Sequence, residues 1–205
     1  MGSAGADRAE AAGRDLLARY AEPQRRYHDQ RHLTEVLDAV DALAAHAAEP
    51  DAVRLAAWFH DAVYDPTAPG GQNEEDSARL AERVLAGLGA DASGRAAAVA
   101  ALVRGTADHE VHGARGSVAD AEVLYDADLA ILGSSPERYA AYAADVRAEY
   151  AHVPDDVFRP ARATILRGFA ERPRIYRTAT AFAAWEAAAR ANLEREIAEL
   201  SAPGR

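Results

Sequence analysis

Apolar residues recur at three- and four-residue spacing in one segment after another of this chain, and proline or glycine cuts between the segments. The breaks fall at Pro23, Pro50, Pro66 to Gly71, Gly87 to Gly89, Gly113 to Gly116, Gly133 to Pro136, Pro154 and Pro173. That period belongs to helices with one buried stripe, and proline and glycine end such helices. Helices are therefore expected near 7–20, 30–48, 51–64, 74–87, 92–108, 119–132, 136–151, 156–171 and 178–200. No stretch alternates cleanly with the period of two that a half-buried strand needs. The expectation is an all-α fold.

A chain of 205 residues supports one sizeable core more readily than two. A single domain over 7–200 is expected, with flexible ends at 1–6 and 201–205. Cysteine is absent, which excludes disulfides, thiolate nucleophiles and cysteine-ligated metals. Any metal must sit on His, Asp or Glu. The net charge of -10 argues against a nonspecific grip on nucleic acid, which depends on neutralising phosphates. All 23 basic residues are arginine; genomic base composition is the ordinary explanation for the missing lysine, and a bidentate grip on phosphate or carboxylate can apply to only a few of them. No stretch reads as a signal peptide or a membrane span, and a soluble cytoplasmic protein is the default expectation.

Four polar residues fall on apolar faces. Asp29 can cap the second helix, whose stripe of Leu33, Val36, Leu37, Val40 and Leu43 also carries His32. In LAAWFHDAVYDP, residues 55–66, His60 shares a face with Ala56 and Val63, and Asp61 lies one step of about 100° round the helix. A buried carboxylate needs a cation or a donor. In VLYDADLAILG, residues 123–133, Asp128 shares the face of Leu124 and Ile131, whereas Asp126 sits more to the side. His32, His60, Asp61 and Asp128 are thus each expected to face one core. Such a set leaves open positions for water and substrate on a five- or six-coordinate ion. The competing reading is a buried cluster of salt bridges with arginine partners.

Six segments in order, YHDQRH at 27–32, WFHDAVY at 58–64, NEEDSA at 73–78, TADH at 106–109, DADLAILG at 126–133 and EAAARANL at 186–193, resemble the HD-domain superfamily of metal-dependent phosphohydrolases. The likeness is to its group of small bacterial predicted hydrolases. The resemblance implies an all-helical, HD-type single-domain bundle with a central metal cleft. Carried over by residue, it makes His32, His60, Asp61 and Asp128 the ligands of one divalent ion, whether Mn, Co, Mg, Ni, Fe or Zn. It also places Glu74 near the attacking water, although Glu74 equally suits the positive end of a helix that Asn73 would cap.

The expected activity is hydrolysis of a small phosphorylated metabolite, a nucleotide above others. Asp61 and Glu74 are the candidate bases. His28 and His109 are candidate substrate contacts, as are Arg147, Arg162, Arg167 and Arg190 for phosphate oxygens; Tyr27, Trp58 and Tyr64 could shape a pocket for a base or sugar. Proteins of this superfamily that hold two irons carry more histidines between the pair and the last aspartate; here that interval has only His109 and His112. A two-iron oxygenase and a non-catalytic nucleotide-binding module are the alternatives. Pairing of chains through the alanine-rich last helix is left open.

Overall fold

The computed structural model describes residues 3–89, 94–109 and 117–202. Among these are nine α-helices and no strand, so the all-helical expectation holds. They are α1 (Ser3–Tyr20), α2 (Gln30–Leu43), α3 (Pro50–Phe59), α4 (Gln72–Gly87), α5 (Arg95–Arg104), α6 (Val118–Asp128), α7 (Pro136–Glu149), α8 (Asp155–Ala170) and α9 (Ala179–Ser201). The expected breaks at Gly113 to Gly116, residue His112 and the start of the fifth helix at 92 lie outside the described residues. Residues 3–6, expected as a flexible start, belong to α1. No described helix is long and apolar enough to cross a membrane.

Helices α2, α3 and α6 pack against one another around a shared core, and α4 with α5 covers α3. Leu33, Val36 and Val40 of α2 are buried, as are Val53 and Ala56 of α3 and Val123 and Leu124 of α6. The stripe that the sequence spacing places on α2 therefore faces inward. Burial of side chains this size contributes roughly 1.5–3 kcal/mol each, and it fixes how the three helices meet. α9 packs on α8 and on the short 3₁₀ turn Leu129–Gly133. Gly133 permits that approach: a Cβ there would lie 2.5 Å from Cβ and 2.9 Å from the backbone oxygen of Trp185.

Several boundaries differ from expectation: α5 ends at Arg104 rather than 108 and α6 at Asp128 rather than 132, each passing into a 3₁₀ turn, and three others bear on the site. α2 ends at Leu43 rather than 48, because Asp120 of α6 accepts the backbone N–H groups of Ala48 and Glu49 at 2.7 and 2.9 Å and draws the chain off the helix axis. α3 ends at Phe59 rather than 64, so Asp61 lies in a turn and not on the helix. α4 is entered through Gly71 at φ +79°, not capped by Asn73. The Asn73 side chain instead exchanges two 3.0 Å hydrogen bonds with the backbone of Asp65.

Candidate metal centre

His32 lies in the first turn of α2, where Asp29 accepts the N–H groups of Arg31 and His32 at 2.9 and 3.2 Å. The cap sets the helix entry, and the imidazole beyond it is 2 % exposed. His60 follows the last residue of α3. Its Nδ1 is 2.8 Å from the carbonyl oxygen of Ala57, one of the last-turn carbonyls that a helix end leaves without partners. A carbonyl can only accept, so Nδ1 carries a proton, and in the neutral ring Nε2 keeps its lone pair.

The chain must then turn sharply to aim Asp61 at the same point. Arg25, its guanidinium fully buried, holds the turn by donating from one nitrogen to the carbonyls of His28 and Asp61 at 2.9 and 2.8 Å, and from another to Ala62 at 3.4 Å. It sits between the rings of Tyr20 and Tyr64, 5.1 and 5.4 Å from their centroids. From the far side, Ser77 of α4 accepts the N–H of Val63 at 3.0 Å. The NEEDSA segment thus braces the loop that follows the histidine–aspartate pair.

The four expected ligands meet. Nε2 of His32 and Nε2 of His60 are 3.0 Å apart. Oδ2 of Asp61 is 3.3 and 3.0 Å from those two nitrogens, and Oδ1 of Asp128 is 3.3 and 3.6 Å from them. His32, His60 and Asp61 each offer a ligand atom within 4.8 Å of the others. Asp128 closes the fourth side, and its Oδ2 is 2.9 Å from Nε2 of His109.

The charges decide what such a cluster can hold. Burial opposes ionisation of both carboxyls, yet His60 above all holds Asp61 and Asp128 well below the ordinary carboxylate range. Burial likewise opposes protonation of the imidazoles, and the two carboxylates outweigh it, raising both. Two N–H groups cannot point at one another across 3.0 Å, so the facing Nε2 atoms share one proton at most. Two carboxylates against one proton leave a buried excess of negative charge, which needs a further cation. Two imidazole nitrogens and two carboxylate oxygens are a donor set for a divalent ion of the Mn, Co, Ni, Fe or Zn type. The backbone partner on Nδ1 of His60 is what a metal-binding imidazole ordinarily has.

The two carboxylates of the cluster line an open cavity of about 460 Å³, together with His28, Glu74 and His109, and the two imidazoles are buried behind them. Glu74, in the first turn of α4, is half-buried; burial raises its pKa, and the nearby Asp61 and Asp128 raise it further. His109 is held at φ +54°, a strained left-handed conformation for a residue with a side chain. His28 stacks on Tyr64 at 4.2 Å and places Nδ1 2.7 Å from Oε2 of Glu149. Burial pushes Glu149 up, but His28 and three backbone N–H donors, those of Arg26, Tyr27 and His28, bring it down to about 2. The ionised carboxylate only accepts, so the His28 proton sits on Nδ1.

Other candidates lie elsewhere. Arg147 binds Asp155 and the carbonyls of Tyr150 and Val153. Arg190 donates to the carbonyls of Ala170, Arg172 and Pro173 and pairs with Glu186. Arg167 reaches Ser201. None of the three lines the cavity, because each guanidinium is turned toward carbonyls, a hydroxyl or an acid that lies nearer. Arg162 pairs with Glu196 and Tyr142 and borders a neighbouring cavity. Tyr27 lines the cavity, Tyr64 backs His28, and Trp58 does not line it. Sequence reading missed Arg25 and Glu149, whose partners are backbone groups that no spacing reveals. It also underrated Asp126, which is fully buried and accepts the N–H groups of Arg177 and Thr178 at 2.8 and 2.7 Å, anchoring the segment that leads into α9.

No family model, curated protein or solved structure matches the chain.

Proposed function

We propose that the protein is an HD-type metal-dependent phosphohydrolase that cleaves a small phosphate monoester, with a nucleotide the favoured substrate. The observation that supports this most is the convergence of two imidazole nitrogens and two ionised carboxylates, 3.0–3.6 Å apart where they face, with both carboxylates lining an open cavity. His32, His60, Asp61 and Asp128 would hold the ion. When bound, a divalent ion supplies positive charge for phosphoryl oxygens and makes neighbouring water acidic near neutral pH.

The residues around the cluster have the complementary parts. Asp61 and Glu74 both face the cavity, and the raised pKa of Glu74 makes it the stronger base for taking a proton from the attacking water. His109 holds Oδ2 of Asp128, leaving Oδ1 toward the imidazoles. His28, held through Nδ1 by Glu149, lines the cavity, where the ring could donate to the leaving oxygen only in its doubly protonated form. Asp61, Glu74, Asp108 and Asp128 outnumber the cationic groups of the lining, so an anionic ester would bind poorly there without added positive charge.

The test is phosphate release from a panel of nucleotides and simple monoesters by protein purified without chelator, with Mn, Co, Mg, Ni, Fe or Zn added in turn. Turnover with at least one metal and its loss in Asp61→Ala is the expected result. Inactivity with every metal, or undiminished turnover in that variant, overturns the reading. His109 beside the outer oxygen of Asp128 favours a second reading, a two-iron oxygenase; two irons per chain and oxygen uptake would select it.

A further inference from the structure

A second cavity of about 410 Å³ adjoins the first, and Tyr27, His28, Tyr142 and Ile165 line both. It is walled by the rings of Tyr27, Tyr142, Tyr150 and Phe158, with Ala161 of α8 on one side. Tyr27 and Tyr142 meet edge to face at 4.6 Å. Several polar groups of this wall already have partners. The Tyr142 hydroxyl accepts from Arg162 at 2.8 Å, Arg162 is drawn to Glu196 at 2.9 Å, and the carbonyls of Tyr150 and Val153 accept from Arg147. Two arginines also brace the rings: Arg147 lies 4.6 Å from the centroid of Phe158 and Arg162 5.1 Å from that of Tyr142. At the rim Ile165 is 56 % exposed, a large apolar side chain beside both openings.

Resting on the phosphohydrolase reading, we propose that this annex is the leaving-group subsite and that it selects phosphate monoesters whose alcohol carries a planar ring. His28 stands where the two cavities join, so a phosphate over the ligand cluster directs its ester oxygen past His28 and its organic part into the annex. A wall built mainly of ring faces recognises a ring by stacking and apolar contact. Purine, pyrimidine and simple aryl esters are therefore accepted alike, and esters of small polyols are disfavoured.

Calorimetry on the metal-loaded protein tests this without turnover, using naphthylmethylphosphonate, methylphosphonate and naphthylmethanol. The naphthyl phosphonate is expected to bind at least tenfold tighter than methylphosphonate, and filling the annex with Ala161→Trp to bring that ratio toward one. Ala161 is exposed and lines the annex, so a larger side chain there is expected to fill the annex without disturbing the core; Ala161→Leu, a smaller filling, should give an intermediate ratio. Equal binding of the two phosphonates by the unaltered protein, or a ratio unmoved in both variants, overturns the annex proposal. If neither phosphonate binds with any metal but naphthylmethanol binds and is lost in Ala161→Trp, the phosphate reading falls and the ring subsite stands. If naphthylmethanol fails to bind as well, both fall.

Discussion

The guanidinium of Arg25 lies 2.8 Å from the backbone oxygen of Asp61, although 36 residues separate them. That contact ends α3 and points the Asp61 carboxylate at the two imidazoles. Lysine carries no fork with which to bridge several carbonyls. Arg25→Lys should therefore lose roughly 1–3 kcal/mol of stability through the carbonyls it orphans. It should also weaken divalent-ion affinity, because Asp61 loses its aim. Chemical denaturation and a metal titration measure the two effects. A variant that loses stability but keeps its affinity would show that the turn is set instead by Ser77 and by the Tyr20 hydroxyl, which accepts the N–H of Asp61 at 3.3 Å.

Glu74 faces the cavity but is not among the residues that meet at the ligand cluster. Glu74→Gln keeps the shape and removes the proposed base. The expected outcome is a fall in kcat of about 10²–10⁴ with the metal content per chain unchanged. Elemental analysis beside steady-state kinetics separates this from a ligand role, in which metal content would fall as well.

The parts of the centre that were legible in the sequence are those carried by helix periodicity. His32, His60 and Asp128 each share spacing with apolar neighbours that the structure buries, so their inward direction follows from the 3.6-residue turn. Asp61 was placed rightly in space but on the wrong element, because nothing in the run LAAWFHDAVY marks an end at Phe59. The signal for that end is Arg25, and it becomes visible only when the chain folds back. Glu149 was hidden for the same reason: its partners are N–H groups at 26, 27 and 28, over 120 residues away. Arginines were the least legible. Spacing cannot tell a guanidinium facing solvent from one bound to carbonyls of a neighbouring loop, and Arg147 and Arg190 are of the second kind.

That distinction can be measured at Arg190. Its donors satisfy three carbonyls where α8 ends, and its acid partner Glu186 accepts the N–H groups of Ile175 and Tyr176. Arg190→Ala should cost roughly 1–3 kcal/mol of stability, read as a lowered Tm. The kcat/KM of the folded fraction should stay within about twofold, whereas loss of a phosphate-binding donor would lower it by about 10² or more. A large kinetic loss at unchanged Tm would return Arg190 to the site.

Glu149 gives the fold a pH dependence whose sign follows from its environment. Oε1 accepts three backbone N–H groups at 2.8–2.9 Å, and Oε2 takes His28 and the Tyr64 hydroxyl at 2.7 and 3.0 Å. These donors bring its carboxyl from an ordinary 4.5 to about 2 in the folded protein, against the opposing effect of burial. A group depressed on folding stabilises fully above its unfolded value, and that contribution is lost as pH falls toward the folded one. Its share, on the order of 3 kcal/mol, should therefore be present at neutral pH and disappear between about pH 5 and pH 2. Glu149→Gln cannot ionise and presents an amide to a ring of donors, so it should be less stable at neutral pH by a similar amount or more. Urea unfolding of both proteins over this range gives the difference curve. It should narrow as the pH falls, and a flat difference would mean that the carboxylate is not held ionised by its donors.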